Sequence, residues 1–145
     1  MPIEDEPALV KRLKAISMLS FETLTRLRDA ARSTTGTALE IGAYIGGSTC
    51  AMGDVLRHHG RQIISIECGG SYPDQPHLPS DDILRDLHSN IRAWEIDDLV
   101  TVIPKFSVDA FRDLPAALRG KPKVDLLFID ADGQVGAHMF QIAPH

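Results

Sequence analysis

Cysteine, aromatic residues and long apolar runs are all scarce in this sequence. It holds 2 cysteines among 145 residues, aromatic side chains make up 6%, and no run approaches the roughly 20 consecutive apolar residues that span a bilayer. Cys50 and Cys68 form no C-x-x-C pair and have no cluster of metal-ligating residues beside them, which predicts reduced thiols and argues against a zinc site. The acidic N-terminus lacks the features of a secretory signal. We therefore expect a soluble, cytoplasmic protein with no membrane partner.

Basic residues are also in the minority. Lysine and arginine total 15 against 20 acidic residues, which gives a net charge of −5, and the basic residues form no run. Because a phosphate backbone is bound mainly by clustered Lys and Arg, nucleic acid is not expected as a partner. Apolar residues nevertheless make up 43% of the chain, which is typical of a folded protein.

Hydrophobic periodicity predicts helices followed by alternating strands and helices. The first third is helical, with one helix over residues 7–16 and a second that begins after an N-cap at Ser20. Short apolar segments rich in β-branched residues then predict strands over residues 38–41, 62–67, 99–103 and 124–130. The connecting helices are predicted over residues 49–56, 83–94 and 107–118, and a proline-containing loop covers residues 68–80.

Apolar strands that alternate with helices indicate an α/β fold with a parallel sheet. Such strands are buried on both faces, so helices should cover both sides of the sheet through right-handed crossovers. We expect an N-terminal helical segment over residues 1–35 and a Rossmann-like domain over residues 36–145. Ligands of such sheets bind at the carboxyl ends of the strands, so the residues that follow each strand are the candidate site.

The first predicted strand ends in a glycine-rich turn that permits three interpretations. A dinucleotide fingerprint requires a glycine where Tyr44 stands, and this large side chain counts against it. A phosphate-binding P-loop requires a lysine where Ser48 stands, and Glu40 would repel a phosphate. The third interpretation is a ligand with little negative charge, because glycines let the backbone approach a nucleoside closely. With Glu67 placed to accept from ribose hydroxyls, S-adenosylmethionine satisfies these requirements.

Three segments together carry a family resemblance. Residues 39–49 (LEIGAYIGGST), 64–67 (ISIE) and 128–132 (FIDAD) resemble class I S-adenosylmethionine-dependent methyltransferases. They are most similar to the small-molecule and sugar O-methyltransferase group, whose fourth strand ends in Asp-x-Asp. The resemblance implies a seven-stranded sheet in the order 3-2-1-4-5-7-6. This sequence would supply an incomplete version with the order 3-2-1-4, apparently truncated after the fourth strand.

The resemblance also implies roles for particular residues. The methionine end of the cofactor would contact Glu40, Gly42, Tyr44, Gly46 and Ser48. Glu67 would bind the ribose, and Ser107 would lie near the adenine. Asp130 and Asp132 would be catalytic, with Asp130 facing the methyl group. In metal-dependent relatives the acid that matches Asp130 is a ligand, which implies a divalent Mg²⁺ or Ca²⁺ there.

Two functions are open at this point. The first is O-methyl transfer to a small molecule or sugar hydroxyl, and the alternative is a non-catalytic cofactor-binding or oligomerisation module that retains the methyltransferase half-fold. In the order 3-2-1-4 the apolar fourth strand becomes a sheet edge, and such edges tend to pair with another chain. We therefore expect a homodimer or pairing with a complementing chain.

Overall fold

The computed structural model describes residues 4–130, which form a four-stranded parallel sheet and six α-helices. The strands are β1 (Thr37–Ile41), β2 (Ile63–Ile66), β3 (Val100–Ile103) and β4 (Val124–Ile129). The helices are α1 (Glu6–Lys14), α2 (Phe21–Ser33), α3 (Gly47–Leu56), α4 (Ile83–Ala93), α5 (Ser107–Ala110) and α6 (Leu114–Ala117), and a 3₁₀ turn follows α3 over Arg57–His59. In this part of the chain no helix has the length and apolar character needed to cross a membrane.

The strands lie in the order β3-β2-β1-β4, which confirms the predicted topology. All three neighbouring pairs are parallel, so the carboxyl ends of the strands meet along one edge. Ile41 near the end of β1 lies opposite Ile66 of β2 and Ile129 of β4. The residues that follow these strands are thereby brought together.

Apolar side chains pack on both faces of β1 and β2, as the sequence predicts. One cluster joins Ala38 and Ile63 to the apolar faces of α1, α2, α3 and α4, and the other joins Leu39 and Ile64 to residues of α5 and α6. β4 is different, because its side chains alternate between half-buried and exposed, with Leu127 55% and Ile129 41% exposed. The centre of the sheet is therefore buried on both faces and the β4 side is not.

Helix caps explain several of the boundaries. Ser20 is the N-cap of α2, as predicted, and its hydroxyl accepts a hydrogen bond from the Thr23 N–H at 3.1 Å. Asp82 caps α4 in the same way, accepting from the Arg85 N–H. These side chains satisfy N–H groups that have no partner within the helix, and so they fix where the helix begins.

The prediction of one helix over residues 107–118 is wrong, because the structure has two four-residue helices there. Pro115 explains the break. Proline has no N–H to donate to the carbonyl of Phe111, four residues earlier, and its ring collides with that carbonyl in a continuous helix. Pro115 instead lies in the first turn of α6, where a missing N–H costs nothing.

A buried ion network joins α1, α2 and α3. Arg28 is 3% exposed, and its Nε lies 2.6 Å from Glu6 Oε1 while its Nη1 lies 2.9 Å from Asp54 Oδ2. Nη1 also donates to the Ala51 carbonyl. The N-terminal helices are thus attached to the helix that follows the glycine turn.

The Glu6 carboxylate should make the stability of the fold depend on pH. The hydrogen bond from Arg28 lowers the pKa of Glu6 from 4.5 to about 2. Because the folded-state pKa is below the unfolded value, this contribution is complete above pH 4.5 and is lost as the pH falls toward 2. We expect Glu6→Gln to reduce the loss of stability between pH 5 and pH 3, measured by urea unfolding. Equal pH dependence in both proteins would contradict this assignment.

Candidate functional site

The glycine-rich turn connects the end of β1 to the start of α3. Gly42 and Gly46 have φ values of +91° and +103°, which side chains disfavour. A Cβ on Gly46 would also lie 3.1 Å from Leu87 Cδ1 of α4. Tyr44, between them, has φ +51° although it carries a side chain, and such a conformation costs about 1 kcal/mol or more. The surrounding contacts must therefore hold the turn in shape.

Tyr44 supplies two of those contacts. Its N–H donates to Glu67 Oε1 at 2.7 Å, and its hydroxyl donates to the Leu78 carbonyl at 2.5 Å. Partial burial raises the pKa of this hydroxyl, so it stays protonated as a donor at neutral pH. One residue therefore ties the glycine turn both to the end of β2 and to the loop that follows β2.

Glu67 lies at the carboxyl end of β2 with its carboxylate fixed in place. The residue is 7% exposed, and its Oε2 accepts from the Gly69 N–H at 2.8 Å while Oε1 accepts from Tyr44. Cys68 Sγ also lies 3.6 Å from Oε2, so both carboxylate oxygens are held by neighbouring groups. The arrangement is a preoriented acceptor of the kind that a pair of hydroxyls requires.

Glu40 is completely buried beneath the turn. Its carboxylate accepts hydrogen bonds from three hydroxyl groups: Ser48 Oγ at 2.6 Å, Ser65 Oγ at 2.7 Å and Thr49 Oγ1. Burial raises the pKa of Glu40. These bonds hold Ser48 and Thr49 in the first turn of α3, so Glu40 supports the turn through neighbouring side chains. A direct contact between Glu40 and a ligand stays a prediction.

Ser107 and an adjoining cleft lie near the ends of β2 and β3. The Ser107 hydroxyl is buried, with the residue 2% exposed, and it has no hydrogen-bond partner among residues 4–130. A buried hydroxyl without a partner is costly and is explained when a ligand completes the bond. The cleft of about 460 Å³ is lined by Cys68, Pro104, Lys105, Phe106, Asp109, Arg112 and Asp113.

Asp130 continues the pairing of β4 with β1. Its N–H donates to the Ile41 carbonyl at 3.0 Å, which places it beside the start of the glycine turn. Asp130 is exposed, but desolvation by the surrounding protein raises the pKa of its carboxyl. Asp132 lies outside the described residues. Within residues 4–130 no group of three or more His, Cys, Asp or Glu side chains is arranged to hold a metal ion.

Sequence reasoning missed two contributors to this site. Ser65 is a polar residue inside an apolar strand, and its register opposite Glu40 is a signal that could have identified it. Leu78 acts through its backbone carbonyl, which no side-chain pattern reveals. Of the predicted site residues that the structure describes, Glu40, Tyr44, Ser48 and Glu67 are linked by hydrogen bonds or lie on the same turn.

Comparisons with known proteins point to one family. The family model described as "Methyltransferase domain" matches residues 39–143. This match begins in β1, before the glycine turn, and includes both Glu67 and Asp130. No curated protein matches the chain significantly.

Solved structures with the same fold include several methyltransferases. A candidate O-methyltransferase from Klebsiella pneumoniae is 24% identical, with a TM-score of 0.65 over 97% of this chain and 60% of that chain. The O-methyltransferase from Bacillus cereus in complex with S-adenosylhomocysteine is 21% identical, with a TM-score of 0.62 over 99% and 62%. The O-methyltransferase TomG from Streptomyces achromogenes, in complex with S-adenosylmethionine, is 23% identical, with a TM-score of 0.61 over 98% and 60%. At these identities the likeness shows the fold, and the chain spans about 60% of the length of these structures.

Proposed function

The chain belongs to the methyltransferase domain family, and we propose that it binds S-adenosylmethionine and transfers its methyl group to a hydroxyl of a small molecule or sugar. The observation that carries the proposal is the preoriented Glu67 carboxylate at the same sheet edge as the glycine turn. The buried Ser107 hydroxyl without a partner among the described residues supports a fit to this cofactor, since an adenine nitrogen would complete its hydrogen bond.

Each residue of the candidate site has a proposed part in holding the cofactor. Glu67 would accept from the ribose hydroxyls, and Ser107 would contact the adenine. The methionine end would lie along the turn at Gly42, Tyr44, Gly46 and Ser48, with Glu40 beneath it. When bound, S-adenosylmethionine supplies a methyl group on a sulfonium centre that a hydroxyl oxygen can attack.

Asp130 would take the proton that the acceptor hydroxyl loses, with Asp132 as the second proposed catalytic acid. A carboxylate whose pKa is raised is a better proton acceptor, and desolvation by the surrounding protein has this effect on Asp130. The Asp130 backbone pairs with Ile41 beside the start of the glycine turn, so a base at this position would act next to the cofactor.

The binding experiment separates the cofactor choices. Titration calorimetry with S-adenosylhomocysteine should show saturable binding, and NAD⁺ should show none at micromolar concentration. Methyl transfer is then measured on a panel of sugars and phenols. Tight binding of NAD⁺ would contradict the proposal, and cofactor binding without any transfer would favour the non-catalytic binding module.

Asp130→Asn is expected to lower methyl transfer by about 100-fold or more, which is typical for loss of a general base. Affinity for S-adenosylhomocysteine should stay unchanged, because Asp130 is proposed to act on the acceptor.

The described residues do not make a metal site by themselves, and we assign no step to a metal. A Mg²⁺ or Ca²⁺ at Asp130 is the second proposal for this carboxylate, which would then be a ligand and not the base, and it predicts that EDTA abolishes activity and that added metal restores it. Unchanged activity in EDTA would contradict the metal while leaving the base assignment intact.

Pairing of two copies through β4 is the proposed form of association. In the described sheet β4 is an edge strand, and it exposes Leu127 and Ile129. An exposed apolar edge strand tends to pair with another chain. Light scattering at micromolar concentration should give a dimer, and a monodisperse particle of 15.9 kDa would contradict the proposal. A cytoplasmic location stays a prediction of the sequence.

A further inference from the structure

Helix α4 packs directly against the glycine turn. The side-chain amide of Asn90 donates from Nδ2 to the Ile45 carbonyl at 2.7 Å. A Cβ on Gly46 would lie 3.1 Å from Leu87 Cδ1 and 3.7 Å from Asn90 Cβ, so little space separates the helix from the turn. The half-buried Asn90 thus reaches a backbone group 45 positions earlier in the chain.

The Ile45–Gly46 peptide is held at both of its polar groups. Its carbonyl accepts from Asn90, and its N–H donates to the Ala43 carbonyl at 3.0 Å. Peptides next to glycine rotate easily, and Gly46 and Tyr44 on this turn both have positive φ. The hydrogen bond from Asn90 is therefore one of two that favour a single orientation of this peptide.

We propose that Asn90 is a positioning residue for the cofactor, because it fixes the Ile45–Gly46 peptide and with it the start of α3. This inference rests on the proposed function. Gly46 is the N-cap of α3, and its carbonyl accepts the first intrahelical hydrogen bond, from Cys50 N–H at 2.8 Å. The first N–H groups of a helix have no hydrogen-bond partner within the helix. They can donate to an anionic group, such as the carboxylate at the methionine end of S-adenosylmethionine. Their direction depends on the peptide that precedes them.

The test is Asn90→Leu, which keeps the branched shape of the side chain and removes the amide donor. Affinity for S-adenosylhomocysteine should fall about 3- to 10-fold, because the cofactor must then orient a turn that one neutral hydrogen bond had held in place. Hydrogen exchange at the Gly46 N–H in the ligand-free protein should become faster. Because exchange is measured without cofactor, it reports on the turn independently of binding.

Ile91→Val is the matched control on the same helix. Ile91 is 3% exposed in the core, so its truncation destabilises α4 without touching the Asn90 hydrogen bond. Ile91→Val should lose about as much thermal stability as Asn90→Leu and still bind the cofactor with the affinity of the parent. Should Asn90→Leu fail to fold, Asn90→Ser removes the same donor with a smaller side chain.

Two results would overturn the inference and leave the proposed function standing. In the first, the Asn90 variant binds S-adenosylhomocysteine with the affinity of the parent and its Gly46 N–H exchanges at the parent's rate. In the second, Ile91→Val loses as much affinity as the Asn90 variant. Failure of the parent protein to bind S-adenosylhomocysteine would overturn the proposed function and this inference with it. Normal parental binding, weaker binding by the Asn90 variant and an unaffected control would support it.

Discussion

Glu67→Ala is expected to weaken the binding of S-adenosylhomocysteine by about 10- to 150-fold, which corresponds to about 1.5 to 3 kcal/mol for hydrogen bonds to a charged group. The carboxylate is 7% exposed and held by two backbone N–H groups, so a ligand would meet an acceptor that is already oriented. Little entropy is then lost when the ribose hydroxyls bind. Titration calorimetry measures the change directly.

Two further variants separate binding from folding. Glu67→Ala also removes the partner of the Tyr44 and Gly69 N–H groups, and it should lower thermal stability as well. Glu67→Gln keeps an oxygen for one of these donors and the side-chain volume, so it should fold better than the alanine variant while still binding more weakly than the parent. Glu22→Ala removes an exposed carboxylate on α2 and should bind normally. Unchanged affinity in Glu67→Ala would show that the ribose assignment is wrong.

Gly47→Ala is expected to lower the free energy of unfolding by about 1 to 3 kcal/mol, the usual cost of overpacking. A Cβ at this position would lie 2.4 Å from Ser17 Cβ and 2.7 Å from the Ile16 carbonyl. Neither atom can rotate away, because one is fixed to the backbone and the other belongs to it. The segment between α1 and α2 would have to move off the glycine turn. Urea unfolding measures the loss, and cofactor affinity should fall with it.

Gly53→Ala is the control within the same helix. Its Cβ would meet Ile96 Cδ1 at 2.6 Å; Ile96 is fully buried, but the contacted atom is the end of a side chain and not backbone. Alanine is also more stable than glycine in a helix interior by about 0.5 to 1 kcal/mol, so Gly53→Ala should lower the free energy of unfolding less than Gly47→Ala does. Adding Ser17→Gly to Gly47→Ala should restore part of the stability. A Gly47→Ala protein as stable as the parent would contradict the close packing described above.

The sequence by itself determined the elements and much of the topology. Runs of apolar, β-branched residues predicted all four strands, and Ser20 predicted the start of α2, because such preferences act between residues within one turn or one strand. Pro115 shows that a local signal can also be overlooked, since it breaks the helix predicted over residues 107–118. The motif around Gly42 and the acid at Glu67 identified the candidate site for the same reason: each lies directly after a strand.

Only the tertiary structure decided which groups hold that site in place. The sequence predicted Glu40 and Tyr44 as ligand contacts, and these contacts stay predictions. The fold adds that Glu40 lies beneath the turn among hydroxyls and that the Tyr44 hydroxyl donates to a carbonyl 34 positions later. Asn90 is one polar residue among several on α4, and its contact with Ile45 follows from how α4 packs against the turn. Backbone carbonyls occur at every position, so no sequence pattern marks the ones that accept these bonds. Their selection depends on the path of the chain between distant residues, and that path exists only in the folded protein.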